Sequence, residues 1–162
     1  MSTQNIFASS ASFVGTWELL TFTEVGEGGR SVEPMGAEPK GFLVYTTEGI
    51  VSAQLMGNGD AEEEIPSKGT SGDAALKPTA ILSIGYCGTF TVNSALQEVV
   101  HLPIVSADRE FVGRALHRRF QFVADRLMLT TAVADGGDST IESRLVWRRY
   151  RQEREGAGIV PQ

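Results

Sequence analysis

Gly41-Phe42-Leu43-Val44-Tyr45-Thr46-Thr47-Glu48-Gly49-Ile50-Val51-Ser52-Ala53-Gln54-Leu55-Met56 decides the fold, because two runs of strand-forming residues flank a Glu48-Gly49 turn. A two-residue turn there sets Tyr45 opposite Ser52, Leu43 opposite Gln54 and Phe42 opposite Leu55. One face then carries Leu43, Tyr45, Ser52, Gln54 and Met56, and the other Phe42, Val44, Val51, Ala53 and Leu55. The mixed face suits a ligand cavity, leaving the apolar face for a loop, a helix or a second copy of the chain. The opposite orientation, with the apolar face as core and Ser52 and Gln54 in water, is the alternative.

The same alternation recurs outward from this hairpin, at Phe13–Glu24, Ile84–Val92, Gln97–Val105, Ala115–Val123, Arg126–Val133 and Ile141–Tyr150. Joints such as Gly26-Glu27-Gly28-Gly29, Asn93-Ser94, Ala124-Asp125 and Asp135-Gly136-Gly137-Asp138 are too short for parallel crossovers. Eight antiparallel strands in chain order predict an up-and-down β-barrel, with a two-sheet sandwich as the alternative. The barrel domain is expected over 13–150, between a flexible segment 1–12 and a flexible tail 151–162. One connection is long, from Gly57 to about Ala80, and it is a candidate lid or solvated acidic loop with room for a short helix over Asp73–Leu82.

Composition narrows the function. The chain has 162 residues, 41% of them hydrophobic, and a net charge of −6. That charge disfavours nucleic acid and anionic membrane surfaces as partners. A single cysteine, Cys87, and two histidines exclude a disulfide framework and a Cys-cluster metal site, so neither metal nor other cofactor is expected. Met1 to Ser12 lack the basic and apolar regions of a secretory leader, and no run reaches the roughly 20 apolar residues of a spanning helix, so the expected location is cytoplasmic.

Three residues stand out chemically. Pairing Val123 with Arg126 puts Leu116, Phe120, Phe122, Leu127 and Leu129 on one face, and Arg118 shares it. A guanidinium on an apolar wall needs an anionic or strongly hydrogen-bonding partner, either a ligand or, from a barrel rim, a loop carboxylate such as Asp108 or Glu110. A four-residue turn at Asn93–Leu96 sets Gly88 opposite His101 and places His101 on the face of Tyr86, Phe90 and Val92. A one-residue change in that turn would point His101 outward. Inside, it is either a satisfied core residue or, with Tyr86 and Arg118, a group for proton exchange. Candidate catalytic residues are thus His101, Arg118 and Tyr86; candidate ligand-binding residues are Tyr45, Ser52, Gln54, Met56, Phe90 and Phe120. His117 reads as surface and Cys87 as packing.

Phe13-Val14-Gly15-Thr16-Trp17, the hairpin 41–55, Tyr86-Cys87-Gly88-Thr89-Phe90 and Asp125-Arg126-Leu127-Met128-Leu129 together resemble the lipocalin-like domain family, over about 13–150. The Gly-x-Trp opening is similar to the lipocalin signature, in which the tryptophan plugs the closed end of the barrel under a basic residue of the last strand; Arg148 and Arg149 both fit that role. The run Leu102-Pro103-Ile104 is less polar than the family pattern. The resemblance implies an eight-stranded barrel with a cavity for a small hydrophobic ligand. Members include microbial secondary-metabolite cyclases that work without cofactor on polyketide or terpenoid intermediates. A cyclase, isomerase or dehydratase is therefore the leading expectation, ahead of a non-catalytic carrier or sensor and of a filled barrel acting as an interaction module. Homodimerisation through the Phe42/Val44/Val51/Ala53/Leu55 face is compatible with each.

Overall fold

The turn after Tyr45 is one residue longer than a Glu-Gly hairpin. In the computed structural model, which describes residues 8–26, 29–58, 83–134 and 140–152, Thr46 N–H bonds the Ile50 carbonyl at 2.9 Å and Gly49 N–H bonds the Thr46 carbonyl at 3.2 Å. Gly49 takes φ +85°, so the loop is a three-residue turn closed by a glycine in the left-handed region. The extra residue changes the register. Strands β3 (Lys40–Tyr45) and β4 (Ile50–Met56) pair Tyr45 with Val51, Leu43 with Ala53 and Phe42 with Gln54. Leu43, Tyr45, Val51, Ala53 and Leu55 therefore face the core, while Phe42, Gln54 and Met56 are exposed and Ser52 lies between. This corrects the expected inward placement of Ser52, Gln54 and Met56. It also removes the proposed apolar dimer face, three of whose five residues are core. The physical reason is simple: this register buries three aliphatic side chains and leaves an amide and a hydroxyl outside.

Among the described residues there are nine strands. Besides β3 and β4 they are β1 (Gly15–Val25), β2 (Ser31–Val32), β5 (Ser83–Asn93), β6 (Glu98–Ser106), β7 (Leu116–Val123), β8 (Arg126–Ala134) and β9 (Thr140–Arg149). All pair antiparallel with their neighbours, β2 only with β1, and β1 pairs with β9 to close the eight long strands into a barrel. Closure pairs the first and last long strands with each other, which removes the two outer edges an open sheet would present to another chain. The long connection after Gly57, its expected helix and most of the tail lie outside the described residues. No helix of the described residues is long and apolar enough to cross a membrane.

One end of the barrel is floored by a short helix, α1 (Ser10–Phe13), where the sequence reading expected β1 to begin. Gly15, at φ +129°, turns the chain from helix into strand. The Phe13 ring enters the barrel and meets Tyr45, Phe120 and Phe122 edge-on, at centroid distances of 5.2, 5.0 and 5.0 Å. Such edge-to-face contacts each add roughly 0.5–1.5 kcal/mol beyond area burial. At the other end, Met35 is fully buried in the same core.

The β5–β6 turn is Ser94–Gln97, one residue later than expected, with Gln97 at φ +50° and Leu96 N–H held by the Asn93 side chain at 3.2 Å. Register slides by two and the faces survive: Phe90, not Gly88, lies opposite His101. Gly88 lies opposite Pro103 beside a bulge, where an added Cβ would collide with the Leu102 carbonyl and come within 2.7 Å of Pro103 Cα. Both neighbours are backbone. Gly88→Ala is therefore expected to destabilise by about 3 kcal/mol or more, whereas Gly49→Ala, with open space around it, should cost only about 1–2 kcal/mol of left-handed strain. Thermal denaturation of the two variants checks this ordering.

Candidate functional site

Strand β6 is built against its hydrophobicity. Val99, His101 and Pro103 point inward and are buried, while Leu102 and Ile104 are exposed at 41% and 60%. A one-residue slip would bury the aliphatics and put the imidazole in water. The observed register forgoes that gain, so it has to satisfy the histidine fully.

It does so with two tyrosines. Tyr45, at the floor end of β3, lies 2.8 Å from His101 Nε2, and Tyr86, in the half of β5 nearer the opposite end of the barrel (its mouth), lies 2.7 Å from Nδ1. Three strands thus hold one chain, Tyr45–His101–Tyr86, running from floor to mouth. Burial, and after it the nearby Arg118 charge, holds the imidazole pKa well below its ordinary value, so His101 is neutral. Burial raises both phenols; Arg118 opposes this, and Tyr86 adds to the rise at Tyr45.

Arg118 is half-buried on the inward face of β7, between Leu116 and Phe120. Ion pairs among the described residues join His117 to Glu98, Arg144 to Glu142 and Arg148 to Glu18, and none includes Arg118. The expected loop partners Asp108 and Glu110 do not pair with it. Asp108 instead caps the 3₁₀ turn Arg109–Phe111 by accepting the Glu110 N–H.

The structure therefore brings together four of the expected site residues, Tyr45, Tyr86, His101 and Arg118. Phe90 and Phe120 also face inward, in the aromatic cluster around Phe13. Ser52, Gln54 and Met56 stand apart on the outer wall. His117 is exposed, and Cys87 is half-buried. Among the described residues no group of three or more His, Cys, Asp or Glu is placed to hold a metal ion.

Strict alternation from Trp17 hides one further inward polar residue, Glu24. A bulge at Leu20, between Leu19 and Thr21, flips the rest of β1 and turns Phe22 and Glu24 inward. The signal was Phe22, an aromatic where plain alternation puts solvent. Burial raises the Glu24 pKa, against the opposing hydrogen bond from Ser143. Trp147 is buried, and its Nε1 is the one buried side-chain polar atom without a partner among the described residues. Beside Tyr86 lies a cleft of about 610 Å³ whose lining includes Ile84, Gly85, Asp108, Arg109 and Phe111, and the Phe111 ring stacks on Tyr86 at 6.0 Å.

Comparison with known families matches residues 14–150 to the lipocalin-like domain. The chain belongs to the lipocalin-like domain family. A search of curated proteins finds no match. The floor of this lipocalin-like barrel settles which arginine covers the tryptophan: the Arg149 guanidinium lies 4.0 Å from the Trp17 ring centre and donates to the Val14 and Ser12 carbonyls. Trp17 Nε1 donates in turn to the Phe13 carbonyl at 2.9 Å. Arg148 points outward to Glu18.

Two titrations report on the lipocalin-like interior. His101 is depressed in the fold, so below its unfolded value of about 6.5 the unfolded chain binds a proton that the native state refuses. Stability is fully present above that pH and falls as pH drops toward the folded value. Subtracting the urea-unfolding stability of His101→Gln from that of wild type should leave a difference that declines with acid in this window. Glu24 has the opposite sign: the native state keeps its proton longer, so wild type loses stability relative to Glu24→Gln as pH rises from about 4.5.

Proposed function

We propose that the barrel binds a hydrophobic polyketide- or terpenoid-type intermediate and promotes its cyclisation, isomerisation or dehydration by positioning, proton transfer and hydrogen bonding. The observation that carries this reading is the buried Tyr45–His101–Tyr86 chain beside Arg118, held by a β6 register that leaves Leu102 and Ile104 in water. Such conflicts between local hydrophobicity and fold mark functional sites.

The chemistry follows from the groups present. A hydroxyl of the chain donates to a ligand oxygen, and Arg118 stabilises charge developing there during enolisation or ring closure. In a dehydration the hydroxyl protonates the leaving hydroxyl, which departs as water, and the tyrosine recovers its proton from solvent or from the substrate carbon that loses one. Fixed donors of this kind contribute about 10²–10³ in rate each. Phe90 and Phe120, inward-facing aromatics braced from behind by the buried Phe13 ring, hold the ligand in shape and exclude water.

A second reading is a carrier that releases its ligand unchanged. It is favoured by one observation: both ring nitrogens of His101 are already engaged within the protein, so the imidazole does not itself reach a ligand. Native mass spectrometry after incubation with a crude metabolite extract separates the two, since a carrier returns an intact ligand and an enzyme a product of altered mass or connectivity. With a turned-over compound in hand, Tyr86→Phe and Arg118→Met should each lower kcat by about 10²–10³ while far-UV circular dichroism stays unchanged. Undiminished turnover in both folded variants sinks the assignment.

A further inference from the structure

The Tyr45–His101–Tyr86 chain has a polarity that proton counting fixes. Two phenols and a neutral imidazole carry three polar hydrogens, and two hydrogen bonds use two of them. One hydroxyl hydrogen is left over, and neither tyrosine oxygen has another partner among the described residues. If Tyr86 donates to Nδ1, then Nε2–H donates to Tyr45 and the spare hydrogen sits on Tyr45. If Tyr45 donates to Nε2, then Nδ1–H donates to Tyr86 and the spare hydrogen sits there.

The surroundings choose between these. Tyr45 is 1% exposed at the floor, wedged between the Phe13 and Phe90 rings at 5.2 and 4.8 Å, and among the described residues its hydroxyl has no hydrogen-bond partner besides His101. A stranded donor in such a place is destabilising. Tyr86 is 4% exposed, nearer the mouth, under Phe111 and beside the cleft that Ile84 and Gly85 line. The spare hydrogen belongs at Tyr86.

We infer that Tyr86 is the ligand-facing proton donor, that His101 is a positioning residue held as the Nδ1–H tautomer, and that the ligand class is a small aromatic or conjugated molecule carrying an oxyanion, a phenolate or the enolate of a 1,3-dicarbonyl. This rests on the reading that the barrel interior binds a small molecule and names its chemistry. The requirement for an acceptor comes from Tyr86, and the preference for a negative one from Arg118, which faces inward with no carboxylate partner among the described residues. The buried indole N–H of Trp147, also unpartnered, adds to the interior's surplus of donors. Among the described residues, the charged or titratable groups that bear on Tyr86 are His101 and Arg118, with Tyr45 across the imidazole from it and Asp108 and Arg109 in the lining of the neighbouring cleft. On binding, the neutral acid loses its O–H proton to solvent and enters as the anion, so atoms and charge balance.

Two measurements on the wild-type protein test this. Nitrogen-15 NMR of the imidazole at neutral pH should find the proton of His101 on Nδ1; a proton on Nε2 overturns the polarity. The second uses 4-nitrophenol, whose neutral and anionic forms differ in colour, with 4-nitroanisole as its non-acidic analogue. Bound 4-nitrophenol should become the phenolate at a pH where it is mostly neutral in solution, its apparent pKa falling by about one to two, and 4-nitroanisole should bind at least about tenfold more weakly. Arg118→Met and Tyr86→Phe should each reduce the colour change. Equal binding of both probes without it overturns the oxyanion class while leaving a small-molecule barrel intact. Binding of neither overturns the inference together with the reading it rests on.

Discussion

An imidazole buried with both nitrogens satisfied is the constraint around which the rest of the barrel is arranged. His101 can be inside only if β3 brings a phenol from below and β5 one from above, and each of those strands is held in place by its own turn. The Gly49 turn puts Tyr45 on the inner face together with Val51 and Ala53. The Ser94–Gln97 turn and the bulge beside Gly88 keep His101 inside while displacing Ile104 and Val105 to the surface. Removing the histidine would leave two buried phenols without their shared partner, a loss of about 1–3 kcal/mol for each. A polar core of this kind gives little net stability but specifies one register among several of similar hydrophobic content.

The floor and the chain are coupled through Phe13. Its ring packs on Tyr45, its carbonyl receives the Trp17 indole, and Arg149 lies over the same indole while bonding the carbonyls on either side of Phe13. The floor therefore does more than close the barrel. It encloses Tyr45 against the Phe13 ring, and on the proposed reading that leaves Tyr86 as the end of the chain that addresses a ligand.

Most of the architecture was legible in the sequence, because period-2 alternation and Gly/Asn/Asp joints report strand number and antiparallel order directly. The inward positions of Tyr86, His101 and Arg118 were legible for the same reason, and an error of two residues in the β5–β6 register did no harm because faces repeat every second residue. What failed were the single-residue irregularities. The extra residue in the Gly49 turn reversed β4, taking Ser52, Gln54 and Met56 to the outside. The bulge at Leu20 reversed the end of β1, bringing Glu24 in. Neither has a strong composition signal, since Glu-Gly suits both turn lengths and a bulge within β-branched and aromatic residues looks like uninterrupted strand. Phe13 was misread for a different reason: an aromatic before Gly-x-Trp fits strand propensity, and only the left-handed Gly15 diverts it into the barrel.

The pairing of β1 with β9 also bears on how the chain comes to be folded. Arg149 bonds the carbonyl of Val14, 135 residues earlier, so the floor joins the two extremes of the domain. During synthesis the meander from β3 to β8 can form hairpin by hairpin, each from local contacts, but the Trp17 indole cannot be covered until the last strand has left the ribosome. Until then the aromatic interior is open at its base, and Tyr45 has not yet been sealed off from water. Ring closure therefore comes last in chain order, and it is the step that completes the floor beneath Tyr45.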